Sequence, residues 1–443
     1  MKKPYLCLGA LSLIALCQQQ LLLRRPARLT ELQPLPPGRS AAALELRFSR
    51  PIDGTSLRQG TKLLPPLPIE LQGQGNSWQL RIAAGQAIKA PLQLQISGTD
   101  RQGKALARSG WNWDPRPVLV GARPVTGGDQ LQLWQHQRWQ PLSPVHGPVE
   151  SLQPLGNGLG LATVTASDPM ARQVWLLELD QLLRPLRERR LNQSPLIYAN
   201  LSSDQRGDLL VQGNGIELFK SNGSSQRLKL ASSGPLRLVP QGGQLVMPEP
   251  EGLALLDLPP LPPRRQFLIG SRDLSSFCPA AGRAVLVRHW PDYRRSLELL
   301  EPGRSPRQLW LGSEALAATA CAGAGERIWA LLLSGISQPQ LELLELDGKG
   351  KQLRRIKLEG EELEPGTGLH YNPVSQQLLL LLRPLDAANR AQQLPRAVLI
   401  DTHSYGRESL PGGVRQVAWL ARHSVQRRST LTTSPPKDDQ HSR

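Results

Sequence analysis

The strongest constraint on this chain is a phrase that repeats along it. An apolar alternating strand, a polar turn and a second strand with outward Arg, Lys or Gln recur from Leu131, Val174, Ile216, Leu253, Leu297, Leu341 and Ala397. The starts fall roughly 37–45 residues apart, with a wider last gap. That gap holds an extra loop, Pro384–Arg396, with a helical-looking stretch from Asp386. A second pair of strands lies between the phrases. Phe277–Val287 superposes on Ala320–Ala330 without a gap, and Leu201–Val211 and Leu369–Leu379 have the same form.

Four short strands per unit of about 43 residues is the period of a propeller blade. One four-stranded blade leaves both faces exposed, whereas a ring of blades covers every face and leaves only short edges. The count predicts about seven blades over 109–420. Val414–Leu420 follows the last phrase as a strand without a sheet, and is expected to pair near Pro117–Val120 and close the ring. Leu344–Lys351 resembles the turn between third and fourth strands of generic bacterial propellers. No WD dipeptide, kelch glycine pair or quinoprotein tryptophan motif is visible, so no subfamily is indicated.

Ahead of the repeat, period-two alternation predicts further strands. Leu44, Leu46 and Phe48 alternate with polar residues, as do Trp78, Leu80 and Ile82, and Leu92, Leu94 and Ile96. Such alternation buries one face of each strand. Several short strands and no helical stretch over 41–108 suggest a small β-sandwich. Leu46–Asp53 (LRFSRPID) and Leu94–Leu106, with its Asp100–Gly103 turn, resemble the opening and closing strands of bacterial Ig-like domains of the S-layer (SbsA) type. Lys104 stands where that family often has Asn. The resemblance implies a spacer or scaffold module in an envelope protein. Asp53 and Asp100 read as turn residues bonding local backbone N–H groups rather than as a calcium site.

The ends set the address. Met1-Lys2-Lys3 precedes the apolar Pro4–Cys17, so 1–28 reads as a signal peptide or membrane anchor. Ala15-Leu16-Cys17 offers a cleavage site, and Ile14–Cys17 resembles a lipoprotein box that would lipidate Cys17, although Leu16 departs from the small residue required there. Pro4–Leu23 reaches the length of one membrane-spanning helix. Residues 29–40 are Pro-rich and read as a linker, and 421–443 as a disordered basic tail. The chain is therefore expected to be exported and anchored, facing the periplasm or cell exterior.

The net charge of +17 invites a nucleic-acid reading. Much of it lies at the two ends, in Lys2, Lys3, Arg24, Arg25 and Arg28 and in the last 23 residues, and the rest is spread thinly. Duplex binding needs charge concentrated on one face, so no nucleic-acid partner is expected.

No catalytic motif emerges. The seven His are scattered, with no H-x-x-x-H, no Cys pair at metal spacing and no G-x-S-x-G. No catalytic, cofactor or metal residue is therefore nominated. His289–Tyr293 and Asp401–His403 are the densest polar-aromatic spots and read as rim loops. Cys278 and Cys321 occupy equivalent positions in adjacent blades, so they are either a disulfide or two buried thiols. Trp134, Trp139, Trp175, Trp290, Trp310, Trp329 and Trp419 fall mostly on predicted strands and read as blade packing more than as a stacking face. The expectation is an all-β, non-enzymatic envelope protein with an N-terminal apolar helix, a propeller platform for a protein or cell-wall partner, and no cofactor. The alternative is an exported propeller hydrolase or lyase acting on phosphate esters or glycans.

Overall fold

The computed structural model describes residues 26–427 apart from 37, 169, 263, 336–339, 386–392 and 423–424. The apolar segment, Cys17, the central part of the Pro384–Arg396 loop and the tail beyond 427 lie outside the described residues. Among the described residues, no helix is long and apolar enough to cross a membrane.

Two structural units are present. The first consists of two four-stranded antiparallel sheets around one core. One sheet joins Leu29–Leu35, Ala42–Phe48, Ser77–Ile82 and Ile69–Gln74; the other joins Lys62–Leu64, Leu92–Ile96, Ser109–Trp113 and Val425–Arg427. Their alternating apolar residues meet in the middle: Leu44, Leu46, Leu80, Ile82, Leu92 and Leu94 are all fully buried. A seven-residue helix, Gly54–Gly60, intervenes where none was expected. Asp53 caps it, its carboxylate accepting from the Ser56 N–H at 2.7 Å. Asp100 likewise accepts from the backbone N–H groups of Gln102 and Lys104.

The boundaries differ from those expected in three places. Residues 29–35 are an edge strand paired with Ala42–Phe48, not a linker. Its Pro34 is tolerated because one side of an edge strand needs no ladder donors. Ser109–Trp113 belongs to the sandwich, so the propeller begins at Val118. Val425–Arg427 is not tail but a strand on Ser109–Trp113, which brings the far end of the chain back onto the first unit.

Among the described residues, seven further antiparallel sheets follow, six of them four-stranded meanders in sequence order apart from the first. The innermost strands are, for blades one to seven, Gln416–Leu420, Val149–Pro154, Asn200–Ser203, Arg237–Leu238, Arg272–Phe277, Ala315–Ala322, and a split strand made of Glu361–Leu363 and His370–Asn372. Neighbouring blades touch around a closed circle, the split strand of blade seven reaching Gln416–Leu420. This is a β-propeller, and the apolar cores lie between its blades. Leu331, Leu343, Leu378 and Leu380, for example, share one cluster between blades six and seven.

Gln416–Leu420 pairs with Val118–Val125, Leu420 opposite Val118 and Ala418 opposite Val120. The ring is therefore closed by strands from both ends of the repeat. The sandwich lies beside the propeller face that carries the turns between first and second strands. There the Ile88 N–H donates to the Val374 carbonyl, Val374 enters the sandwich core, and Arg39 pairs with Glu326.

Candidate functional site: the central channel

The innermost strands enclose a cavity of about 1080 Å³ along the propeller axis. Its wall is built by register. In each blade the inner strand runs toward the sandwich face, ending in a turn in blades two to seven, so equivalent positions form layers. One such layer, near the sandwich end of the strands, comprises Gln153, Ser202, Arg237, Ser276, His370 and Ala418, as their pairing partners place them. Thr319 joins it through a 2.8 Å hydroxyl bond to Ser276. Every member but Ala418 is polar.

The hydroxyls in this region can be assigned. Thr319 Oγ1 donates to Ser275 Oγ at 2.8 Å, so Ser276 must be the donor in its own bond to Thr319. The Ser275 hydroxyl proton is then left for the channel. Ser202 is otherwise engaged, accepting from the Leu238 N–H.

Arg237 and His370 stand in the same layer on blades four and seven and both line the cavity. Each is open to solvent inside the channel yet walled by protein, so its charged form is poorly hydrated. Enclosure lowers the affinity of the Arg237 guanidinium for its proton. The His370 imidazole is held below its ordinary range, first by enclosure and second by the Arg237 charge. Among the described residues, Arg237 has no hydrogen-bond or ion-pair partner.

The carboxylates at the opposite mouth are already engaged. Glu150 holds Arg172, with Nε to Oε2 at 2.6 Å. Asp273 Oδ2 lies 2.7 Å from His289 Nε2. His289, expected on a rim loop, therefore borders the channel mouth, at the start of the turn that also carries Tyr293. In that turn Arg288 sits 3.9 Å from the Trp290 ring centroid, and Trp290 donates to Ser296. Asp401 instead closes its own turn, accepting from the His403 and Ser404 N–H groups.

Cys278 and Cys321 form a disulfide between blades five and six, with Cα atoms 5.0 Å apart, at the sandwich end of the channel wall. The tryptophans mostly pack: Trp329 is fully buried and meets Tyr371 in a tilted ring pair, and Trp134, Trp139 and Trp419 pack where blades seven and one meet. Among the described residues, no group of three or more His, Cys, Asp or Glu is placed to hold a metal ion.

Sequence reasoning missed Arg237, Ser275 and His370. They lie far apart in the chain and belong to no motif. The readable signal was the shared repeat position of Arg237 and His370; Ser275 lies at a register shift just before the layer residue Ser276.

The architecture defines a seven-bladed propeller closed by strands from both ends and joined to a β-sandwich. No protein-family model matches the sequence, and no curated protein matches it. Solved structures resemble it at low identity. TolB from Acinetobacter baumannii is 12% identical with a TM-score of 0.41, over 76% of this chain and 81% of that one. The β-propeller domain of Myceliophteria thermophila Cps50 (Swd1) is 13% identical with a TM-score of 0.34, over 54% of this chain and 93% of that one. A Bacteroides fragilis protein provisionally assigned as a 6-phosphogluconolactonase is 11% identical with a TM-score of 0.44, over 71% of this chain and 99% of that one. The propeller assignment rests on the strand topology.

Proposed function

We propose that this chain is a non-enzymatic, exported protein of the cell envelope. In this reading the N-terminal segment anchors it to the membrane, the sandwich is an Ig-like spacer, and the propeller is an interaction platform for a protein or cell-wall glycan. The observation that carries the reading is the set of exposed apolar side chains on the propeller face away from the sandwich. That face presents Met170, Ile197, Tyr198, Ile269 and Tyr293, all large, apolar and exposed. Ile269 is 75% and Tyr293 90% exposed. The Pro384–Arg396 loop leaves from this same face, between the second and third strands of blade seven. Exposed apolar side chains gathered on one face with long loops are what a docking surface requires. The Cys278–Cys321 disulfide supports an oxidising compartment.

The test is crosslinking of a C-terminally tagged protein in intact cells, followed by purification from membrane and soluble fractions. A membrane-bound product crosslinked to one abundant partner is expected. Replacing Pro384–Arg396 with a Gly/Ser linker should weaken that capture. A soluble product without a partner would sink the proposal.

One observation favours a second reading, an exported hydrolase or lyase acting on phosphate esters or glycans. The Asp273–His289 pair at the channel mouth has the geometry of an oriented general base. Hydrolysis of a phosphate-ester or glycan panel that is lost in His289→Ala would establish it.

A further inference from the structure

The channel wall combines an enclosed guanidinium that has no partner among the described residues, an imidazole on the facing blade and a hydroxyl whose proton is left over. All are donors, and the nearest carboxylates are engaged at the mouth by Arg172 and His289. We propose that the channel binds an anionic oxygen group, a carboxylate or a phosphate, on Arg237, His370 and Ser275. A planar guanidinium offers two parallel N–H groups to such a group, and enclosure strengthens each bond relative to bulk water. An anion would also restore the solvation that Arg237 loses on entering the channel wall. His370, neutral for the reason given above, contributes one ring N–H and adds no second cation. The cavity of about 1080 Å³ leaves room for the rest of a larger ligand along the axis. This inference goes beyond both readings of function, because it requires binding alone and concerns the channel rather than the exposed face.

The experiment is calorimetric titration of the full chain with inorganic phosphate and, separately, with acetate. Saturable binding of at least one anion is expected, weakening as ionic strength rises. Preference between the two assigns the ligand class. Arg237→Gln should weaken binding about tenfold or more. Should that variant melt early, Ser275→Ala and His370→Asn are each expected to weaken binding by a smaller factor. Absence of saturable binding to either anion, or binding indifferent to all three substitutions, overturns the proposal. Partner capture through the opposite face is read separately, so either idea can fail alone.

Discussion

Leu420 lies opposite Val118 in an antiparallel pair that joins positions about 300 residues apart in the chain. The blade they belong to cannot form until both ends of the repeat are present. Leu420 is fully buried in a cluster with Val120, Leu133 and Leu161, so it also seals blade one against blade two. Leu420→Ala should cost about 2–5 kcal/mol, the usual range for a truncated core leucine. Deleting 412–420 should do more, exposing the ladder edge of Val118–Val125 and sharply lowering the melting temperature. A deletion variant that melts like the parent protein would rule out the closure.

Cys278 and Cys321 cross-link neighbouring blades over a sequence separation of 43. Tethering two points that far apart restricts the unfolded chain, and a bridge of this span is worth about 2–4 kcal/mol. Both cysteines are buried, so reduction should require partial opening. Peptide mapping without reductant should recover the joined peptides. The Cys278→Ser/Cys321→Ser double variant should melt at a lower temperature with its strand content unchanged. Equal melting of oxidised and double-variant protein would mean the bond contributes nothing to stability.

Asp114 sits where the chain leaves the sandwich for the propeller. It receives Arg116 Nε at 2.8 Å and Arg422 Nη1 at 2.8 Å, the latter from the connection returning to the sandwich. Burial alone would raise its pKa, but Arg116 first and Arg422 after it hold the carboxyl below its ordinary 3.8. A depressed carboxylate contributes stability that is full above the unfolded value and lost as the pH falls through the folded one. The junction should therefore weaken only in acid, below about pH 4. Asp114→Asn should cost about 1.5–3 kcal/mol at neutral pH and flatten the acid limb of the melting curve. An acid limb unchanged by the substitution would place the sensitive group elsewhere.

The propeller was legible because its physics is periodic. Each blade reuses one strand spacing, and the unpaired Val414–Leu420 had one sheet left to join. The sandwich boundaries were harder because their evidence is non-local. Leu29–Leu35 carries Pro34 and pairs on one side only, so its composition reads as linker. Val425–Arg427 is three residues long, too short for alternation, and its pairing with Trp111–Trp113 crosses the whole propeller. The channel layer was legible only in part. The repeat aligns Arg237 with His370, but which side chains face the axis depends on register, and one residue of slip would turn them into the blade.

The exposed face offers a last test. Ile197, Tyr198 and Tyr293 lie in turns and loops opposite the sandwich, Ile269 ends a strand there, and all four side chains are exposed. Exposed substitutions of this kind usually change stability by about 0.5 kcal/mol or less. A variant carrying Tyr198→Ser, Ile269→Ser and Tyr293→Ser should therefore melt within a few degrees of the parent protein. If the face is the docking surface, the same variant should lose most of its crosslinked partner, because truncating aromatic anchors removes about 1–2 kcal/mol or more at each central site. A matched triple variant on the sandwich face, Leu159→Ser, Leu182→Ser and Leu261→Ser, exposes the same chemistry on the other side of the ring. Loss of capture in the first and retention in the second would locate the partner, and the reverse pattern would move the platform to the face beside the sandwich.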